Sequence, residues 1–196
     1  MIRPNPSARA AAISIAVLSV AVAATDMALA PMLVGTTGLD RGQGAEDADF
    51  ALAAPVLVFA GILKLLGAGA QVVVVRAVAG AAPARMARTA TLVAGLAGAL
   101  LIAASGSLGL WAASQQHAGH GPVIAALGFG GLGATGLFAF VLLSFEAPRL
   151  RRWHAAVALL FGVLSLGALA LPILAPLSVP AGMAFWLGLA RRFGPR

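Results

Sequence analysis

The stretch TATLVAGLAGALLIAASGSLGLWA, residues 89–112, decides the fold: it runs for 24 residues without a charged side chain. A bilayer hydrocarbon core of about 30 Å is crossed by roughly 20 apolar residues in a helix. This stretch is long enough, and Arg88 marks one of its ends. Working outward in both directions, five more segments have the same character: 10–31, 50–76, 122–144, 154–174 and 177–193. The chain is therefore expected to be all-α, a polytopic membrane bundle of six transmembrane helices forming one domain over residues 1–196. Composition agrees. Of 196 residues, 61 % are hydrophobic and 10 % charged, and mean hydropathy is +0.98. Soluble domains average about 45–50 % apolar and about 25 % charged, so this chain lacks the polar surface for a water-soluble fold of its size.

Charge sets the expected threading. Arg3 and Arg9 precede the first span, and Arg76, Arg85 and Arg88 surround the turn between spans two and three. Arg149, Arg151 and Arg152 lie between spans four and five, and Arg191, Arg192 and Arg196 close the chain. Arg41 stands alone on the other side, in a Gly- and acid-rich loop (32–49) with Asp40, Glu46, Asp47 and Asp49. Basic residues favour the cytoplasmic side, so both termini are expected there. Net charge is +7, which the same topology signals account for; nucleic acid is not an expected partner. The ALA at 28–30 resembles a signal-peptidase site, but span one is too long and too weakly flanked for a simple leader.

Spans five and six share a proline-rich joint, Pro172, Pro176 and Pro180. A proline lacks the backbone donor and disfavours helix in the residue before it. The expected arrangement is a tight outward turn around 175–179 with Pro180 in the first turn of the last helix. A single kinked span is the alternative and would send the C-terminus to the other side.

Helices in lipid gain from close backbone approach through small residues. Span three carries Gly95, Ala99, Ala103 and Ser107 at intervals of four; span four carries Ala126, Gly130 and Ala134 among Gly128, Gly131, Gly133 and Gly136. These ridges are expected to pack helices together, or to receive a membrane-protein partner. The run GFGGLGATG (128–136) is not a phosphate loop: no strand precedes it, no lysine follows at the required place, and it falls mid-membrane.

Two ionisable residues lie inside spans, Asp26 and Lys64. Each costs roughly 2.5–3.5 kcal/mol at mid-helix on insertion scales, so such groups turn inward and pair. Asp26 lies about 25 Å past Arg9 and Lys64 about 18 Å before Arg76, at 1.5 Å per residue. The antiparallel offset is then about 7 Å, which shrinks because side chains lean toward their helix N-termini. An Asp26–Lys64 contact is predicted. Ala12, Ala16, Ser19 and Ala23 line the face below Asp26, and Ala60, Gly61, Gly67, Ala68 and Gln71 share the Lys64 face. Asp26, Lys64 and Gln71 are the candidate ligand-binding residues, and Asp26 the candidate acid or base should the protein be an enzyme. The bland alternative is an ion pair that sets helix register and does no chemistry.

Other chemistries find little support. There is no Cys and no Tyr. His117 and His120 form H-x-x-H in an outer loop with no third ligand nearby, so no metal is expected. His154 lies at a span end beside Trp153, and haem would need facing histidines within spans. Ser105 and Ser107 lie in span three, but no histidine lies in the interior of a span, His154 standing at the very end of span five, so an intramembrane serine protease is not expected. No cofactor is expected. Membrane lipids are expected partners, with the inner arginines attracting anionic headgroups at about 1 kcal/mol each. Three classes remain: a protein, or membrane subunit, that binds or transports a small molecule; an accessory or assembly subunit of a larger complex; and an acid/base isomerase or cyclase on a lipophilic substrate. The first ranks ahead. The Ala, Gly and Arg bias points to a high-GC bacterial genome, hence a plasma membrane.

Overall fold

A computed structural model describes residues 2, 4–26, 47–115, 120–146 and 150–194, without the side chains of 47–53. It consists of six long helices: α1 (Pro6–Ala24), α2 (Asp47–Ala81), α3 (Arg85–Gln115), α4 (Gly121–Glu146), α5 (Arg152–Ala170) and α6 (Ala175–Arg192). All six are long and apolar enough to cross a membrane. Helices prevail because hydrocarbon offers no hydrogen-bond partner, so each segment must satisfy its own backbone.

Each helix packs against the next in chain order, and α6 returns to α1, so the bundle is a closed ring. The apolar core sits toward the end that holds both termini. There Ala8, Ala12 and Ile15 of α1 join Val74, Val75 and Val78 of α2, Phe138 and Leu142 of α4, and Phe161, Phe185 and Trp186 of α5 and α6. Phe138 lies in the middle, with its ring 6.0 Å from Trp186 and near-parallel to it. The termini are joined directly. The Asn5 N–H donates to the Phe193 carbonyl at 3.0 Å, while the Asn5 side chain accepts from the Ala8 N–H and caps α1. Arg9, Arg76, Arg85, Arg88, Arg151, Arg152, Arg191 and Arg192 all fall in the parts of their helices at or toward this end. Arg3, Arg149, Arg196 and Arg41 lie outside the described residues.

The proline joint is a true reversal, so spans five and six are separate, but the turn comes earlier than expected. α5 stops at Ala170; Leu171 is extended (φ −130°, ψ 88°), as the residue before Pro172 should be, and one 3₁₀ turn covers Pro172–Leu174. Pro176 sits in the first turn of α6, where no backbone donor is needed. Pro180 lies within the helix, not at its start. The two helices run antiparallel, with the His154 ring near the start of α5 against Gly188 near the end of α6.

The small-residue contacts are real, but their register differs from a four-residue ridge. On α3 the buried positions include Gly95, Gly98, Ala99, Ser105, Gly106 and Gly109, whereas Ser107 is exposed. A step of four overshoots a 3.6-residue turn by about 40°, so three such steps leave the face by about 120°. Steps of three and four alternate along the buried face instead. Gly106 meets Gly61 of α2: a Cβ on Gly106 would lie 2.9 Å from the Gly61 carbonyl oxygen. Gly131 of α4 lies against Ile102, and Gly136 against Gly162 and Ser165 of α5. Ala126 is exposed.

Candidate functional site

The predicted ion pair forms. Lys64 Nζ lies 2.6 Å from Asp26 Oδ2. Thr25 and Asp26 continue the chain past Ala24, the last residue of α1, in π-helical conformation. Thr25 donates to its own helix, to the carbonyls of Ala21 and Val22. Lys64 projects from α2 at a close approach to α3, since a Cβ on Gly106 would be 3.0 Å from Lys64 Cβ. The pair is not sealed: the Lys64 side chain is 12 % exposed and that of Asp26 is 30 %.

A third member was not foreseen in this role. Lys64 Nζ also donates to Ser105 Oγ at 3.5 Å, and Ser105 in turn donates to the Ile124 carbonyl of α4 at 2.9 Å. The chain Asp26–Lys64–Ser105–Ile124 thus ties α1, α2, α3 and α4 together. Serine in a Gly/Ala-rich helix usually bonds its own backbone. Only its spacing from Gly98, on the same buried face, sets Ser105 apart.

Gln71 lies two turns along α2 from Lys64, so the two share a face, but its amide makes a separate junction. Gln71 Nε2 donates to the Gly95 carbonyl at 3.0 Å and to Thr135 Oγ1 at 3.1 Å, and Thr135 donates to the Gly131 carbonyl. Residues of α2, α3 and α4 pack at both levels at an interval of seven: Lys64 and Gln71 on α2, Ser105 and Gly98 on α3, and Gly128 and Thr135 on α4, with Gly98 packed against Gln71 and Gly128 against Ser105 rather than bonded to them. The next positions in the series, Val78, Thr91 and Leu142, are shut off from solvent, and Val78 and Leu142 belong to the apolar core. A polar seam therefore runs from the Asp26 end to mid-bundle and stops at an apolar floor. Gln71→Leu should lower stability by about 1 kcal/mol, the scale of interhelical hydrogen bonds in membranes. Thermal unfolding in detergent checks this; a loss several times larger would mean that the amide does more than join three helices.

Packing differs along the bundle. No residue of α4 between Gly121 and Gly130 is buried, whereas eight between Gly131 and Glu146 are. In α1, Ala8, Ala12, Ile15 and Ala16 are buried, but none of residues 17–24 is. On α2 and α3 burial continues to the level of the charged pair, through Ala60, Gly61 and Leu63 and through Ser105, Gly106 and Gly109, so at that level α1 and α4 are the more exposed helices.

At the opposite end the carboxylate of Glu146, fully buried, takes Arg192 Nη2 at 2.9 Å. His154 and Arg192 line a cavity of about 10 Å³ between α4, α5 and α6, room for one water rather than a small molecule. Trp111 and Trp153 are half-exposed at opposite ends, Trp111 with its ring 4.7 Å from His120. His117 lies outside the described residues, and among those described no three His, Asp or Glu come together as a metal site would need.

Compared with known proteins, the chain matches no protein family, no curated protein and no solved structure. The function must be argued from the site.

Proposed function

We propose that this multi-pass membrane protein binds or transports a small polar molecule at the Asp26–Lys64 pair, alone or as the membrane subunit of such a system. The observation that carries the reading is an acid–base side-chain pair, 2.6 Å apart within a transmembrane bundle, that keeps 12 % and 30 % of its side-chain surface exposed. Because the pair is not sealed, it keeps part of its hydration, and a small polar molecule can reach the two charges without first unpacking the helices. The other end of the ring is filled by Phe138, Phe185 and Trp186, whereas the pair stays partly exposed, which suits reversible contact with a small polar ligand.

The arginine-rich end lies in the cytoplasm on this reading, by the charge bias of membrane insertion, and the membrane is a bacterial plasma membrane. The pair then faces the outer half of the bilayer. Lipids cover the exposed apolar stripe of α3, Val93, Leu96 and Leu100.

The test is retention of a ligand. The purified wild-type protein should carry a small molecule at near-stoichiometric amount, seen by native mass spectrometry and by mass spectrometry of a solvent extract. The double variant Asp26→Asn/Lys64→Met should lose it while keeping its helix content and monodispersity. If wild type and double variant carry the same small molecules, or none, the pair is a structural clasp and the reading fails.

A further inference from the structure

The two halves of the ion pair are not held alike. Lys64 belongs to the wall. Its stem lies against Gly106, its ammonium donates to Ser105, and Ser105 is itself anchored to the α4 backbone. Asp26 is the more exposed partner, 30 % against 12 %, and among the described residues Lys64 is its one polar partner. Displacing Lys64 means breaking contacts on α3 and unmaking a close α2–α3 approach. Among the described contacts, displacing the Asp26 carboxylate means breaking one ion pair.

We infer that the ligand of this site is a small carboxylate, and that Asp26 is its intramolecular placeholder, occupying the Lys64–Ser105 subsite until a ligand carboxylate replaces it. This rests on the binding role proposed above and names the chemistry of its ligand. Exchange keeps Lys64 paired, because one carboxylate leaves it as another arrives; the site gains one negative charge, and the released Asp26, the more exposed partner, turns to water. A cationic ligand would instead pair with Asp26 and leave the Lys64 ammonium with no counter-charge, held by the Ser105 hydroxyl alone in the wall. The body of the ligand is apolar and compact, to suit Ala60 and Leu63 beside Lys64 and the open space at Gly67 one turn further on, where a Cβ would meet nothing within 4 Å beyond its own helix backbone and chain neighbours.

Isosteric probes of opposite charge decide the matter: hexanoate against hexylamine, and benzoate against benzylamine, titrated calorimetrically into the full-length protein in detergent. The acids should bind saturably and the amines should not. Asp26→Asn should tighten the acids by about tenfold or more, because a self-ligand that holds the site nine-tenths of the time weakens a competitor by that factor. Lys64→Met should abolish acid binding, and so should Asp26→Asn/Lys64→Met, which carries no stranded charge and keeps the test valid if the single variant misfolds. Amine binding that is lost in Asp26→Asn overturns the carboxylate assignment and leaves the binding role standing. Acid binding unaltered by either substitution overturns the assignment of the subsite. No response to any of the four probes overturns the carboxylate assignment, and together with a wild type that carries no ligand after purification it removes the binding role as well.

Discussion

Gly98→Leu is expected to prevent the bundle from closing. A Cβ at this position would lie 2.6 Å from Thr135 Oγ1, 2.8 Å from Gln71 Nε2 and 3.1 Å from the Thr135 backbone nitrogen. The Gln71 and Thr135 atoms are held in mutual hydrogen bonds, and the backbone of α4 cannot yield without moving the helix. Overpacking costs about 1–3 kcal/mol where side chains can rearrange; here the obstacle includes a helix axis, so a loss of about 3 kcal/mol or more is expected, with aggregation in detergent. Gly69→Leu, two residues before Gln71, is the matched control. Gly69 is exposed, and no described atom lies within 4 Å of a Cβ built there. Its substitution should change stability by no more than about 0.5 kcal/mol. Size-exclusion profiles and thermal unfolding of the two variants check the pair. Equal behaviour would mean that α2, α3 and α4 do not meet at Gly98.

Lys64→Met is expected to have the second largest effect. Removing one partner of a fully buried ion pair costs about 3–5 kcal/mol, because the other charge is left desolvated. Asp26 is 30 % exposed and recovers part of its hydration, so about 2 kcal/mol is the expected loss. The double variant Asp26→Asn/Lys64→Met should regain most of it, since no charge is then stranded. A double-mutant cycle on thermal stability reads this as a coupling of about 1–2 kcal/mol. Strict additivity of the two single effects would show that the side chains do not act on each other.

The site was half legible. Asp26 and Lys64 declare themselves because charge is rare in a chain with 61 % hydrophobic residues, and rise per residue alone places them near one level of the bundle. Gln71 declares its face, seven residues from Lys64, but not its partners. Ser105 and Thr135 could not be singled out as partners of Lys64 and Gln71, because a hydroxyl in a membrane helix ordinarily satisfies itself on the preceding turn. Thr25, Thr91 and Ser178 do so here. Thr135 does so too, on the Gly131 carbonyl, but its oxygen also accepts from Gln71, and Ser105 donates across to α4; both need a neighbouring helix brought close by Gly61, Gly98 and Gly106, and that is a property of the pair of helices rather than of either segment. The proline joint shows the same limit. Three prolines announce a break, but which one ends α5 depends on where α6 finds its contacts with α5 and α1.

From the amino-acid order alone came an all-helical bundle of six long apolar segments, approximate bounds for each, and an acid and a base at matching depth. These follow from the length of apolar runs and from the need of every peptide group in hydrocarbon to bond within its own segment, both local quantities. The tertiary structure alone decided which glycines touch, that the helices close into a ring, and that one end is filled by aromatic rings while the other leaves a charged pair partly open. Those features depend on the relative rotation of neighbouring helices. In a chain so rich in alanine and glycine, many rotations present nearly the same surface, and only the packing of all six helices together selects one.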